Sequence, residues 1–410
     1  MTVRAERASL QRVRSPTASE SPEQRALSIC ARVALEPHAR EELEALLRAG
    51  LDFSALIRAA RYHGVTPLLC RHLHEVVAGL CPPDLLQGLR AATQHSVVAS
   101  LGLAAELVDL LAALNANGIP ALAVKGPVSA ALCYGDLGLR TFSDLDLLIE
   151  PADVRATGAL LETRGYAARL PLSAAWQAHL VRTDTEQLYV HTDGRRLVDL
   201  HWCLMPRGYS FTPRGDGVFA RRQNVRVGGA QVPTLGVEPT LLFLLLHGMK
   251  HDWASLGWLC DVSELLRRHP DLDWDAVLAW SAPRGPRRFV DIGLALAREE
   301  LGAPVPATVL RRGESDAVVA QMVAAIRRRL LAVPPGRPLS LTERSVGLLY
   351  FRAMQRPGDR VRFLHDVVFR PTPLEWRAIR LPPRLAALHY LVRPVRLLWK
   401  HARSRRARQP

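Results

Sequence analysis

Apolar residues recur at helical spacing over residues 25–96, as in Ala39-Arg-Glu-Glu-Leu-Glu-Ala-Leu-Leu47 and around Leu56-Ile57. Pro82-Pro83 interrupt the series ahead of a further helix, and residues 100–117 read as a long helix leading into a short buried strand that ends at Val124. The period then shortens to two. Asp144-Leu-Asp-Leu-Leu-Ile149 reads as a buried strand. In Arg196-Leu-Val-Asp-Leu-His-Trp202 the alternation places Val198, Leu200 and Trp202 on one face, with Asp199 and His201 on the other. Between these strands a helix is expected from about 152 to 164, ended by Gly165. A strand near 187–191 joins the Asp199 strand through the hairpin signal Asp193-Gly194, and a second short hairpin is expected around Gly228-Gly229. Helices resume from Glu238 to about 330, and Val333-Pro-Pro-Gly-Arg-Pro338 separates a last helical segment. No internal repeat is evident. The pattern divides the chain into a polar, disordered 1–24, a helical 25–98, a strand-bearing core 99–236 with a hairpin extension, a helical 237–332 and a basic helical 333–410.

The chemistry concentrates on the strands. Asp144 and Asp146, two apart, share a face of an extended strand among Leu145, Leu147, Leu148 and Ile149. Paired carboxylates at the edge of a core repel, and a hard divalent cation is the usual neutraliser. Replacing either by Asn is expected to leave stability equal or higher, because repulsion is relieved. Upstream, Lys125-Gly126-Pro127 reads as strand, glycine turn and helix start. Free backbone N–H groups at such a turn suit phosphate, and Lys125 adds a mobile charge. Asp199 is the candidate third metal ligand. His201 is its polar neighbour, placed to orient it, to touch substrate or to serve as a structural histidine. Arg140 is a candidate bidentate grip on a triphosphate; a surface salt bridge to Asp136 or Glu150 is the other reading. His247 and His251 share a helical face with Lys250 close by, and Asp261 follows. That set has zinc-ligand types, but Gly248 stands where a metalloprotease helix needs Glu. The more ordinary expectations, equal in weight, are that this polar face lines a nucleotide or acceptor cleft opposite the carboxylates or that it forms a capped, hydrogen-bonded helix junction.

Lys125-Gly126, Tyr134, Arg140, Asp144-Leu-Asp146-Leu-Leu and Asp199-Leu-His-Trp202 together resemble the uncharacterised bacterial nucleotidyltransferase family within the DNA-polymerase-beta-like superfamily. The likeness extends to the stretch from Leu51 to Pro67-Leu-Leu, to His247-Gly-Met-Lys250-His251-Asp-Trp253 and Trp258-Leu-Cys-Asp261, and to the tail. It implies an α+β fold: a nucleotidyltransferase-like small mixed β-sheet with flanking helices, embedded between N- and C-terminal helical regions. It implies that Asp144 and Asp146 hold metal ions, Mg²⁺ or Mn²⁺, and that Asp199 completes the triad. Lys125, Gly126, Ser129, Arg140, His201 and Lys250 are the expected nucleotide-binding set. The superfamily turn often carries Gly-Gly or Gly-Ser, whereas this chain has Lys-Gly-Pro-Val-Ser with Ser129 three positions on. The implied reaction moves a nucleoside monophosphate from an NTP to a hydroxyl or phosphate acceptor and releases pyrophosphate. Two alternatives use the same residues: an Asp-x-Asp glycosyltransferase, and a non-catalytic nucleotide-binding scaffold at a membrane.

Composition narrows the setting. The 410 residues suffice for two or three cores. Six cysteines at 30, 70, 81, 133, 203 and 260 form no Cys-x-x-Cys pair, which argues against zinc ribbons and points to a reducing cytoplasm. No run of 18 apolar residues occurs, Thr240–His247 is too short to span a bilayer, and the polar N-terminus lacks a secretory pattern. The net charge of +15 gathers late in the chain, at 327–329 and through 393–408. Interleaved with Leu388, Leu391, Leu397, Leu398 and Trp399, the segment 388–408 reads as basic and amphipathic, suited to peripheral contact with anionic membrane. The plainer reading is a helix packed on the body with a frayed basic end. Nucleic acid stays open as a partner, although no nucleic-acid module of recognisable form occurs.

Overall fold

The computed structural model describes residues 20–75, 78–205, 219–281, 286–330, 348–379 and 381–406. The linker expected at 333–338, residues 206–218 of the glycine-rich stretch, Arg408 and residues 1–19 of the expected disordered N-terminus lie outside these. Residues 20–24 are ordered: helix Pro22–Cys30 begins there on a capping box between Ser21 and Gln24.

One seven-stranded mixed sheet lies at the centre. Its strands are β1 (Ala121–Ala123), β2 (Leu145–Ile149), β3 (Tyr166–Ala168), β4 (Glu186–His191), β5 (Leu197–His201), β6 (Arg222–Val227) and β7 (Ala230–Leu235). Their order is β3-β4-β5-β2-β1-β7-β6. β2 runs antiparallel to β1 and parallel to β5, and that second register sets Asp146 opposite Asp199 and Leu148 opposite His201. Hairpins β4–β5 and β6–β7 turn at Gly194 and at Gly228-Gly229, all with positive φ.

Both faces of the sheet are covered, so β2 is buried at every position. On one face Leu145, Leu147, Val198 and Leu200 pack with Leu103, Leu107, Leu110 and Leu114 of helix Pro83–Ala116. On the other, Leu122, Val124, Leu148 and Leu235 pack against Phe243 of helix Val237–Lys250. Asp146, two residues from Leu148, therefore points to the Phe243 side.

Helix Pro83–Ala116 is continuous over 34 residues where two elements were expected. Pro83 opens it, at the first helical position where proline's missing N–H costs nothing. It also runs across the boundary expected at 98/99. It is the one described helix long and apolar enough to cross a bilayer by length and composition. The helical regions on either side of the sheet share one core, in which Leu43, Leu56 and Leu69 join Leu245, Trp253, Leu259 and Leu294.

Candidate functional site

The parallel pairing of β2 with β5 builds the site. Asp146, Asp199 and His201 bring their ligand atoms within 4.8 Å of one another. Lys125, leaving β1, places Nζ 2.6 Å from Asp146 Oδ1, and His201 Nε2 lies 3.0 Å from the same oxygen. His201 also stands 3.6 Å from Asp199 Oδ2 and, through Nδ1, 3.3 Å from Glu186 Oε2. The Asp146 side chain is 2% exposed, Asp199 24% and Glu186 39%, so the cluster opens to solvent on its Asp199–Glu186 side.

The electrostatics follow from these contacts. Burial works to raise the pKa of Asp146, but Lys125 and His201 outweigh it and hold the carboxyl well below the usual range. Burial works to lower the pKa of His201; Asp199, Asp146 and Glu186 outweigh it and raise it. Asp199 has less compensation: burial, with Glu186 and Asp146 nearby, pushes it up to about 6 although His201 pulls the other way. Asp146 is thus an ion-paired carboxylate as well as a repelling neighbour of Asp144, and its loss is expected to cost stability, where repulsion alone gave stability equal or higher.

Asp144 sits differently from its expected place. It is a half-buried bend residue ahead of β2 and is not among the three close-set ligands. Burial, then Asp146, raises its pKa. Its backbone closes the Lys125 turn: a Cβ on Gly126 would lie 3.2 Å from Asp144 O, and Gly126 adopts φ 58°, ψ −121°. The helix after Gly126 is brief, an α-turn at Pro127–Ser129 running into a π-turn at Ala130–Tyr134. The Ser129 hydroxyl is buried and has no hydrogen-bond partner among the described residues.

Arg140 is committed elsewhere than to Asp136 or Glu150. Its Nε and Nη2 each donate to Asp261 at 2.9 Å, and the Tyr134 hydroxyl donates to Asp261 Oδ1 at 2.8 Å. Burial acts against the guanidinium's charge, but Asp261 raises its pKa further than burial lowers it. The pair ties the segment after Gly126 to helix Leu256–Arg268. With Asp261 engaged there, the His247–His251–Asp261 grouping is not close-set; among the described residues the one close-set group of three metal-ligand types is Asp146, Asp199 and His201. His247 and His251 instead pack edge to face, 4.7 Å between ring centroids, and both lie against Trp258. Phe243, one turn before His247, has Lys125 Nζ 5.9 Å from its ring centroid. Lys250, at the end of that helix, contributes with His201 to lowering the pKa of Glu186 against the effect of burial.

Sequence reasoning missed Glu186 and the partner of Arg140. Extending the β4–β5 hairpin outward from Asp193-Gly194 sets Glu186 opposite His201, so the first was recoverable from the turn. The second bridges 121 positions and left no local signal.

Two carboxylates and an imidazole are a sound donor set for a divalent cation: the oxygens suit Mg²⁺, and the nitrogen is more at home on Mn²⁺. The most buried of these carboxylates, Asp146, has Lys125 as its counter-charge, and Asp199 faces the open side.

Comparison with curated proteins gives no match. The solution structure of the antibiotic-resistance factor ANT(2'')-Ia is similar at 15% identity, over 44% of this chain and 89% of that one, with a TM-score of 0.31. The family model described as uncharacterised nucleotidyltransferase matches residues 49–302, which take in part of each helical flank, the glycine turn, the Asp-x-Asp strand and the Asp199 strand. The chain belongs to this nucleotidyltransferase family.

Proposed function

We propose that this enzyme moves a nucleoside monophosphate from an NTP to a hydroxyl or phosphate acceptor, using Asp146 and Asp199, with Asp144 and His201 beside them, to hold a divalent cation. The observation that carries the proposal is the register of β2 on β5, which lays Asp146 against Asp199 on one face with Lys125 on the shared oxygen side. The bound cation would supply charge neutralisation at the triphosphate and a lowered pKa for the attacking oxygen.

The chain's own residues do the rest. Lys125 lies where an ammonium can neutralise phosphate oxygens beside the carboxylates. Gly126 lets the turn approach closely, and the open Asp199–Glu186 side admits the acceptor. His201 holds Asp146 and Asp199 in place through its ring nitrogen. The acceptor oxygen bonds to the α-phosphorus, the bond to the β-phosphate oxygen breaks, and pyrophosphate leaves. Arg140 is assigned to the wall of the nucleotide site, oriented by Asp261, and Lys250 to its far rim. Family membership favours nucleotidyl over glycosyl transfer. We place the reaction in the cytoplasm, where reduced thiols and NTP coexist; all six cysteines are buried and none forms a disulfide among the described residues.

The test is incubation of the purified chain with each α-labelled NTP, Mg²⁺ or Mn²⁺, and a fractionated cell extract. A labelled acceptor and released pyrophosphate are expected with wild type and not with Asp199→Asn. Binding of Mn²⁺, read by electron paramagnetic resonance, should weaken at least tenfold in Asp199→Asn. Unchanged Mn²⁺ binding and unchanged labelling in that variant would refute the assignment.

A further inference from the structure

Helix His389–Arg406 is mounted with Arg393 and Arg396 inward and an apolar row out. Arg393 and Arg396 both pair with Glu375, whose side chain is fully buried. Arg393 Nε also donates to Val367 O at 3.0 Å. Glu375 is fixed in turn by a capping box with Thr372 at the start of helix Pro373–Ala378. The inner side of the helix is thus secured by ion pairs, where a soluble helix would use leucines.

The outer side is a row. Leu391, Val395, Leu398 and Trp399 stand at i, i+4, i+7 and i+8, and are 70%, 67%, 72% and 60% exposed. Leu388, 46% exposed, begins the row. Helix Pro357–Val368, which touches this helix where His365 meets Tyr390, exposes Val361 and Leu364. Single exposed apolar residues are ordinary, but a continuous stripe on one helix face implies something that covers it.

Charge identifies the cover. From 376 to 410 the chain has ten Lys or Arg and no Asp or Glu. A second copy seated face to face would bring two such cationic segments together. A nucleic acid would need the cations, not the leucines, at the contact face. Glu375 engages Arg393 and Arg396, and the other eight cations of 376–410 have no acid within that stretch. An apolar stripe ending in a tryptophan, inside a segment of that charge, matches a surface with acyl chains below and negative headgroups above. The stripe covers about two turns, roughly 12 Å of helix, so it lies on a bilayer and does not cross one. We propose that the helices at 357–368 and 389–406 form a docking face for an anionic lipid surface, with Leu391, Val395, Leu398 and Trp399 set into the headgroup boundary.

The full chain is sedimented with vesicles of phosphatidylcholine alone and of equimolar phosphatidylcholine and phosphatidylglycerol. Binding is expected to the mixed vesicles at low salt and to weaken as salt rises. The triple variant Leu391→Gln/Val395→Gln/Leu398→Gln alters exposed positions only, so its thermal unfolding should match wild type while its partitioning falls at least tenfold. Arg403→Gln/Arg405→Gln should lose roughly fivefold per cation. Three results would overturn the proposal. The first is wild type that stays in the supernatant with the mixed vesicles. The second is equal binding to neutral vesicles. The third is a stripe variant that binds as wild type does, or whose sole change is the loss of a dimer in light scattering.

Discussion

Removing Asp261 tests how the segment from Gly126 to Arg140 is tied to the helical body. In Asp261→Ala the Arg140 guanidinium loses both edge contacts and the Tyr134 hydroxyl loses its acceptor. The arginine side chain is 15% exposed and the aspartate 2%, so water replaces little of what is lost. Leaving one partner of a buried pair uncompensated costs about 3–5 kcal/mol, and stranding the phenol adds about 1 kcal/mol. Asp261→Ala should therefore destabilise by about 4–6 kcal/mol. Arg140→Met/Asp261→Leu/Tyr134→Phe, which replaces the whole set by apolar groups, should recover most of that, since a packed apolar cluster is often as stable as the buried pair it replaces. Urea unfolding followed by circular dichroism, with the Arg140 and Asp261 singles and their double as a cycle, should give a coupling of at least about 2 kcal/mol. An Asp261→Ala cost below about 1 kcal/mol, or singles that add with no coupling, would refute the reasoning. The folded double also separates two roles for Arg140: unchanged nucleotide affinity makes it a positioning residue, and lost affinity makes its remaining N–H groups a substrate contact.

Three further outcomes are expected. His63 accepts the Leu256 N–H at Nδ1 over 3.2 Å, and burial lowers its pKa to about 4, so the unfolded chain takes up the proton first as pH falls. The His63 contribution to stability should be full above pH 6.5, fall between 6.5 and 4 by about 3 kcal/mol, and level below that, with His63→Gln reducing the slope of urea midpoints in that window; an unchanged slope would exclude His63 as a source. Asp146→Asn should cost about 2 kcal/mol or more in chelator, because Lys125 keeps a buried charge, while Asp199→Asn stays within about 1 kcal/mol of wild type; equal effects would contradict the ion-paired reading of Asp146. Gly126→Ala should cost about 1–3 kcal/mol through its positive φ and the 3.2 Å approach to Asp144 O, and a melt unchanged from wild type would show that the turn relaxes freely.

Where the sequence was legible, period and turn chemistry carried it. Val198 and Leu200 alternating with Asp199 and His201 fixed which side of β5 faces the core, and a slip of one residue would have buried the polar pair in the leucine layer. Asp193-Gly194 and Gly228-Gly229 marked both hairpins because only a few residue types tolerate the positive φ those turns need. Asp144 was less legible: the period-two argument assumes extended backbone, and β2 begins one residue later. The short strand β3 and helix Ala174–Thr183 escaped because neither carries a long periodic run. Pro82-Pro83 marked both a break and the start of the next helix, since proline ends a helix before it yet is welcome at its first position; what stayed hidden is that this helix runs on unbroken to Ala116.

The C-terminal helix shows a limit of a different kind. Alternating Arg and Leu define an amphipathic helix, but they do not say which side meets the protein. That is set by what the body offers, and here it offers Glu375, buried and able to take Arg393 and Arg396 together. A buried carboxylate without those arginines would be an uncompensated charge, costing more than the exposure of a few leucines. The arginines turn inward for that reason, and Leu391, Val395 and Leu398 are carried outward by the same rotation. Glu375→Gln should therefore loosen the helix from the body without changing its apolar stripe. Faster amide exchange confined to 389–399 would show it, and exchange as slow as in wild type would mean that packing, not the ion pairs, sets the orientation.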